Sequence, residues 1–379
     1  MAHEEKLPRE LIEEILSRVP PETLVRFRTV SKQWNALFDD KTFINNHKMT
    51  FRFILATKSK IYSVNIDPEI VVRELILDIP GLKSQIPKLL FGSNEFLLCH
   101  MGEGAAVWNP WLKQTRWVKA DDVNQQHIMQ IDGTIGYDNN RRVEETVYKT
   151  LGFCWKGLNL TESEESWWKI YDFASNTWKD LIKNTGQRKD NYTLHSTNGV
   201  SLNGTLYWIS FLDMTDPFYC LSKFDFSRET FSIFCALPCG RNHRGDALVL
   251  RVFRGDRFSL LRQCHVTRKI EVWVTKNKIN HEDGDDVGWM IFMTLSIPNL
   301  PRLQTGRSYS HPSYFIDDKR LVICSCDETG RAWIYVVEEN KFTKMQIDSV
   351  VDPWPVHCTY SPSLVSVPRC QSEEAELQV

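Results

Sequence analysis

The chain has 379 residues, 42% of them hydrophobic and 25% charged, enough apolar material for a small domain beside a large one. Its 46 Lys and Arg against 48 Asp and Glu leave a formal charge of -2, which excludes a global attraction to nucleic acid or to an anionic membrane. The opening MAHEEKLPRE lacks the apolar stretch of a signal peptide, and no later apolar run approaches the roughly 20 residues that span a bilayer. The expected location is therefore the cytoplasm or nucleus. The ten cysteines form no zinc framework and are expected as reduced thiols. Without a secretory route the sequons at Asn159, Asn191 and Asn203 carry no weight, and Asn203-Gly204 in LNGTLYW reads instead as a tight hairpin turn.

The first elements are helical. Leu11, Ile15 and Val19 lie four apart, with Ile12 and Leu16 beside them, which puts a wide apolar stripe on one helix face. Pro20-Pro21 ends that helix. From Glu22 a second pattern starts, in which Leu24, Phe27, Val30, Trp34 and Leu37 recur every three or four residues, with a break near residues 29–31. A helical piece of about 40 residues seldom folds without a disulfide, a metal or a partner. The economical expectation is a partner that completes its core. A cap packed on the chain's own β-domain is the bland alternative. A DNA-reading helix-turn-helix using Arg26, Arg28 and Lys32 is opposed by Glu10, Glu13, Glu14 and Glu22 in the same segment.

From about residue 51 the pattern changes to short β-branched and aromatic runs between Gly, Asn, Asp and Pro. VWNPWLKQTRWVK, IYDFASNTWKDL, KFDFSRETFSIF, EVWVTKNKI and IYVVEENKFTKMQI each contain a strand, and most turn into a second one. In three of them an aromatic of the first strand (Tyr171, Phe224 or Tyr335) is followed seven residues later by one on the second (Trp178, Phe231 or Phe342). With Trp108 and Trp273 these anchors recur at intervals of roughly 50–60 residues, the period of a propeller blade. FRFILA, FLLCH, LGFCW, FSLLRQC and RLVICSC supply further strands. SPSLVSVP is expected to be a closing strand paired with the first blade, and RCQSEEAELQV a frayed tail. The fold class is thus a small all-α piece followed by a large all-β, propeller-like domain of about six blades.

No motif for catalysis emerges. There is no Gly-x-Ser-x-Gly elbow, phosphate-binding glycine loop or His-Glu-x-x-His zinc helix. The histidines are dispersed, and single ones such as His195 and His265 read as surface or satisfied core residues. HEDGDD, residues 281–286, lacks the spacing of a calcium loop and reads as a solvated hairpin tip. Trp354 lies between two prolines and must belong to a loop. Trp354 and Trp111 are the candidate target contacts, because loops on a rigid scaffold usually carry binding.

The opening stretch resembles an F-box through Leu7-Pro8, Leu11, Glu14-Ile15-Leu16, Arg18-Val19-Pro20, Leu24, Arg26, Val30, Lys32, Trp34 and Phe43. The rest is similar to the F-box-associated domain of large plant families, through VWNPWLKQTRW, LNGTLYW and YSPSLVSV. The resemblance implies three segments: residues 1–48 as F-box, 49–368 as target-binding β-domain and 369–379 as polar tail. It also implies that Leu7, Pro8, Leu11, Ile15, Leu16, Val19, Pro20, Leu24, Val30, Lys32 and Trp34 bind a Skp-like adaptor and, through it, cullin and RING subunits. The function implied is that of a non-catalytic substrate receptor of a ubiquitin ligase, which needs no metal or cofactor. The competing class is a ligase-independent propeller that binds a small molecule or glycan.

Overall fold

The computed structural model describes residues 7–369 apart from 48, 67–68, 80–81, 83–85, 93–94, 122–126, 139–145, 157–165, 182–192, 195–198, 212–217, 242, 244, 297–301, 304–311, 318–319, 339–340 and 348–350. Asn159, Asn191, His195 and the tail beyond residue 369 lie outside the described residues. Four short helices come first: α1 (Arg9–Leu16), α2 (Pro21–Phe27), α3 (Lys32–Asp39) and α4 (Lys41–Asn46). Their boundaries follow from local chemistry. Pro21 occupies the first turn of α2, where its missing N–H costs nothing. The Ser31 side chain caps α3 by accepting from the Trp34 N–H at 3.1 Å, and Asp40 caps α4 through the Thr42 N–H at 2.7 Å.

Six antiparallel sheets follow. The first holds β1 (Phe53–Ala56), β2 (Ile61–Asn65) and β3 (Val71–Leu75), and the second β4 (Leu89–Gly92), β5 (Leu97–His100), β6 (Gly104–Asn109) and β7 (Gln114–Lys119). The third comprises β8 (His127–Tyr137), β9 (Tyr148–Lys156), β10 (Ser166–Asp172) and β11 (Thr177–Asp180). In the fourth, β12 (Thr193–Leu194) and β13 (Val200–Leu202) both pair with β14 (Thr205–Phe211), followed by β15 (Phe218–Asp225) and β16 (Thr230–Arg241). The fifth holds β17 (Ala247–Phe253), β18 (Arg257–Gln263), β19 (Ile270–Thr275) and β20 (Trp289–Leu295). The sixth holds β21 (Ser313–Asp317), β22 (Arg320–Cys326), β23 (Ala332–Glu338) and β24 (Lys341–Gln346), after which β25 (Val356–Thr359) returns to β1. The inner strands β25, β4, β8, β13, β17 and β21 touch in sequence around a closed ring. This is a six-bladed propeller.

The five aromatic anchors all lie on the third strand of a blade, which explains their period. Tyr171 stands directly opposite Trp178, and Phe224 opposite Phe231. The seven-residue spacing comes from one turn used three times. Asn109, Asp172 and Asp225 each accept backbone N–H groups two and three residues ahead through Oδ1. Lys113, Asn176 and Glu229 then close the turn with φ of 53°, 58° and 51°. The sixth blade differs: Tyr335 faces Lys344, and Phe342 faces Val337. Asn203 and Gly204 form the hairpin turn expected of LNGTLYW, with φ of 50° and 81°.

The closing strand is not SPSLVSVP. The ladder to β1 is made by VHCT, with Cys358 opposite Ile54, and residues 361–368 carry no strand. Side chains of the second blade hold that segment instead. Asn109 Nδ2 donates to the carbonyls of Ser363 and Val365 at 3.0 and 2.8 Å, Gln114 Oε1 accepts from the Val367 N–H, and Arg116 donates to the Pro368 carbonyl. Where the ring closes, β4 approaches β25 at Gly92, whose hydrogen leaves room that a Cβ, 2.5 Å from the Thr359 carbonyl oxygen, would fill. Deleting residues 356–379 should leave β1 as an open edge and remove the strap. The expected result is loss of the cooperative thermal transition and aggregation on gel filtration.

Candidate protein-interaction site

The helices and the propeller share one hydrophobic core. Leu16, Leu24, Leu37, Phe38, Phe43 and Ile44 join Ile54, Trp108, Trp111, Tyr360 and Leu364 in a single cluster. His47, just after α4, packs edge-on against Trp111 with ring centroids 5.1 Å apart. Thr50 Oγ1 donates to the Ile44 carbonyl at 2.8 Å, and Phe51 stacks on Tyr360. The small helical piece therefore packs its core on its own β-domain, as the alternative of a cap had it, and a partner is not needed to complete that core. Its attachment is at the end of the propeller where the turn of residues 110–113 lies.

The same helices keep an apolar face outside. Leu7, two residues before α1, and Leu11 and Ile15, four apart on it, are 57%, 51% and 53% exposed, and Val30, on the turn between α2 and α3, is 59% exposed. Pro8, Pro20 and Lys32 are exposed, while Val19 and Trp34 are half-buried against the shared core. Leu16 and Leu24 are turned inward, 2% and 0% exposed. They belong to the internal core and are corrected as adaptor contacts, because a side chain sealed there offers no surface to a partner. The stripe read from the sequence is thus divided: one edge anchors the helices and the other faces water.

Trp111 is corrected too. It is 3% exposed, so its ring is spent on the helix–propeller contact. Trp354 lies on the connection between β24 and β25, 38% exposed, with φ of +60°. Its N–H donates to the Gly330 carbonyl at 2.7 Å, and the indole lies over Gly330, where a Cβ would stand 2.5 Å from the ring. By the antiparallel order of each blade, this connection sits at the end of the propeller away from the helices. HEDGDD is a solvated hairpin tip between β19 and β20, with Glu282, Asp283, Asp285 and Asp286 exposed, and it is braced where Arg228 of the fourth blade pairs with Glu282 at 3.2 Å and Gly284 packs on the Phe234 carbonyl.

His265 has company that sequence distance hid. It stacks on His243 with centroids 3.8 Å apart and, with Cys264 and Asp246, forms a group whose ligand-type atoms lie within 4.8 Å. Asp246, 1% exposed, is already satisfied: Oδ2 accepts from Arg262 at 3.0 and 2.9 Å, and Oδ1 from the His265 N–H and ring. These bonds hold its pKa below the usual carboxylate range against the opposing effect of burial. The group braces two loops of the fifth blade and leaves the carboxylate no capacity for a cation.

His47 makes the helix–propeller joint sensitive to acid. It is 3% exposed, its Nδ1 accepts from the Met49 N–H at 3.2 Å, and its Nε2–H therefore donates to the Val19 carbonyl at 3.0 Å. Burial lowers its pKa, and that of His100. Below the unfolded value of about 6.5 the unfolded chain takes up protons that the folded chain refuses, so stability falls with acidification until the folded pKa is passed. Melting temperature should drop between pH 7 and 5.5, and His47→Gln should flatten part of that slope.

Two family models match the chain: the F-box domain over residues 5–46 and the F-box associated beta propeller domain over residues 52–367. The chain belongs to the F-box proteins with this associated propeller domain. An Arabidopsis thaliana F-box protein is 58% identical over 383 residues and covers 100% of both chains. An F-box/kelch-repeat protein of the same plant is 57% identical, again over 100% of each chain. The Arabidopsis Protein SUPPRESSOR OF NIM1 1 is 44% identical, covering 96% of this chain and 98% of its own. The F-box match includes both the inward Leu16 and Leu24 and the outward Leu7, Leu11 and Ile15.

Proposed function

We propose that this F-box protein is a substrate-recognition subunit of an SCF-type cullin-RING ubiquitin ligase. The observation that carries the reading is the exposed row Leu7, Leu11 and Ile15 on helices whose other face is fixed to the propeller. An unpartnered apolar row of this kind suits burial against the helices of a Skp-like adaptor, which in turn would hold cullin and RING subunits. The propeller end that carries Trp354 points away from this row and offers the loops for a target protein. Function then needs no catalytic residue. Holding target lysines beside an activated ubiquitin raises their effective concentration. The cytoplasm or nucleus, where such ligases meet their targets, is the location that goes with this reading.

The test is co-purification of the full chain with a plant Skp-type adaptor and cullin, beside Leu7→Ala with Pro8→Ala. Capture by the parent and loss in the still-folded variant supports the reading. Failure of the parent chain to capture the adaptor overturns it.

A further inference from the structure

The ring of inner strands encloses a cavity of about 540 Å³ at the end of the propeller that the helices cover. Its walls come from both parts of the chain: Phe38, Asp39 and Ile44 from the helices, and Arg251, Tyr314 and Thr359 from inner strands or their ends. The size is that of pockets for small organic molecules. Exposed Asn45, Asn203 and Arg254 stand at its rim.

The charge on these walls is unbalanced. Among the described residues Arg28, Arg52, Arg251 and Arg254 line the cavity against only Asp39 and Glu95. Both carboxylates are engaged: Asp39 pairs with Arg28 at 2.8 Å, and Glu95 accepts from the Tyr148 hydroxyl at 3.1 Å. Arg52 lies over the Phe315 ring at 4.2 Å and donates to Asn45 at 3.3 Å. Arg251 is different. It interrupts the apolar strand ALVLRVF, its Nε is sealed without a hydrogen-bond partner, and no carboxylate contacts it among the described residues. The charged-state neighbours that affect it are the thiol of Cys358 and the phenol of Tyr314, both neutral near pH 7, with Tyr314 already bonded to the Ser259 hydroxyl at 2.9 Å. Burial pushes the Arg251 pKa down from the usual arginine value. An arginine remains charged even so, and a half-buried guanidinium whose Nε–H has no acceptor is costly to keep.

We propose that the cavity is a binding site for a small organic oxyanion, a molecule carrying a carboxylate or phosphate that pairs with the fork of Arg251. The guanidinium offers parallel N–H groups matched to such an oxyanion, and the surplus of arginines favours negative charge throughout the cavity. An occupant of this cavity would touch the helices and the propeller together, so binding would stabilise their joint arrangement.

The experiment follows thermal melting of the full-length chain in sodium phosphate and in sodium succinate, each titrated against sodium chloride at matched ionic strength. The expected result is a saturable rise in melting temperature with at least one oxyanion, absent in Arg251→Gln and retained in Arg254→Gln at the rim. A response to phosphate alone, or to succinate alone, assigns the oxyanion class. Should Arg251→Gln not fold, Arg251→Lys carries the comparison: it keeps the charge and loses the fork, and its half-saturating concentration should rise at least tenfold. No oxyanion-specific rise in the parent chain overturns the proposal, as does an unchanged response in both Arg251 variants. Neither outcome bears on adaptor capture, which uses the opposite face of the helices.

Discussion

Replacing Asn109 by alanine is expected to cost the folded chain about 4 kcal/mol, among the largest effects of any single substitution here. Asn109 is 0% exposed and makes five hydrogen bonds. Its Nδ2 donates to Ser363 and Val365, while Oδ1 accepts from the N–H groups of Trp111 and Leu112 and from the Tyr360 hydroxyl at 2.8 Å. One amide thus joins the turn that carries Trp111, the stacked Tyr360 and the C-terminal strap. Alanine leaves buried groups of all three unpaired, each a loss of about 1–3 kcal/mol that entering water only partly repays. Asn109→Asp keeps the acceptor and loses both donors, so it should fall between. Urea and thermal melts of the three chains provide the measurement. A cost under about 1 kcal/mol for the alanine variant would show that the strap is held by something else.

Leu11→Asp combined with Ile15→Asp should lower affinity for a Skp-like adaptor at least a hundredfold, about 2.7 kcal/mol, while leaving the melting temperature unchanged. Both side chains are more than half exposed in the free chain, so folding does not depend on them. Leu24→Ala should do the reverse. A cavity at a residue 0% exposed costs about 3 kcal/mol of stability, and the fraction still folded should bind adaptor as before. Calorimetric titration of adaptor into each variant, alongside its melt, separates the two faces. Equal losses of affinity for the inward and outward leucines would mean that the helices are not seated on the propeller as described.

Much of this arrangement was legible because it rests on local chemistry. Pro20-Pro21 and Ser31 set helix limits by themselves, and the repeated Asx turn writes its spacing into Tyr171 and Trp178 and into Phe224 and Phe231. What the sequence left open depends on contacts between distant segments. Periodicity places Leu11, Ile15, Leu16 and Val19 on an apolar stripe, but it cannot say which edge meets the chain's own sheet. Trp111 reads as a loop residue, and it is one; its burial arises from His47, 64 positions earlier by the numbering. VHCT is too short to outrank SPSLVSVP as a closing strand by composition, and the longer segment is tied by the side chains of Asn109, Gln114 and Arg116 in place of a ladder. Arg251 was not singled out from the sequence, because only ring closure brings this charge of β17 to the wall of a cavity.

The central claim is that the outer row of the helices, and not the propeller loops, meets the adaptor. Hydrogen exchange of the full chain with and without a purified Skp-type adaptor tests it most directly. Slowed exchange is expected only in α1 and in the turn around Val30, with the turn at Gly330 and the β24–β25 connection at Trp354 unchanged. Slowed exchange at Gly330 and Trp354 with none in α1, or no change anywhere at saturating adaptor, would overturn it.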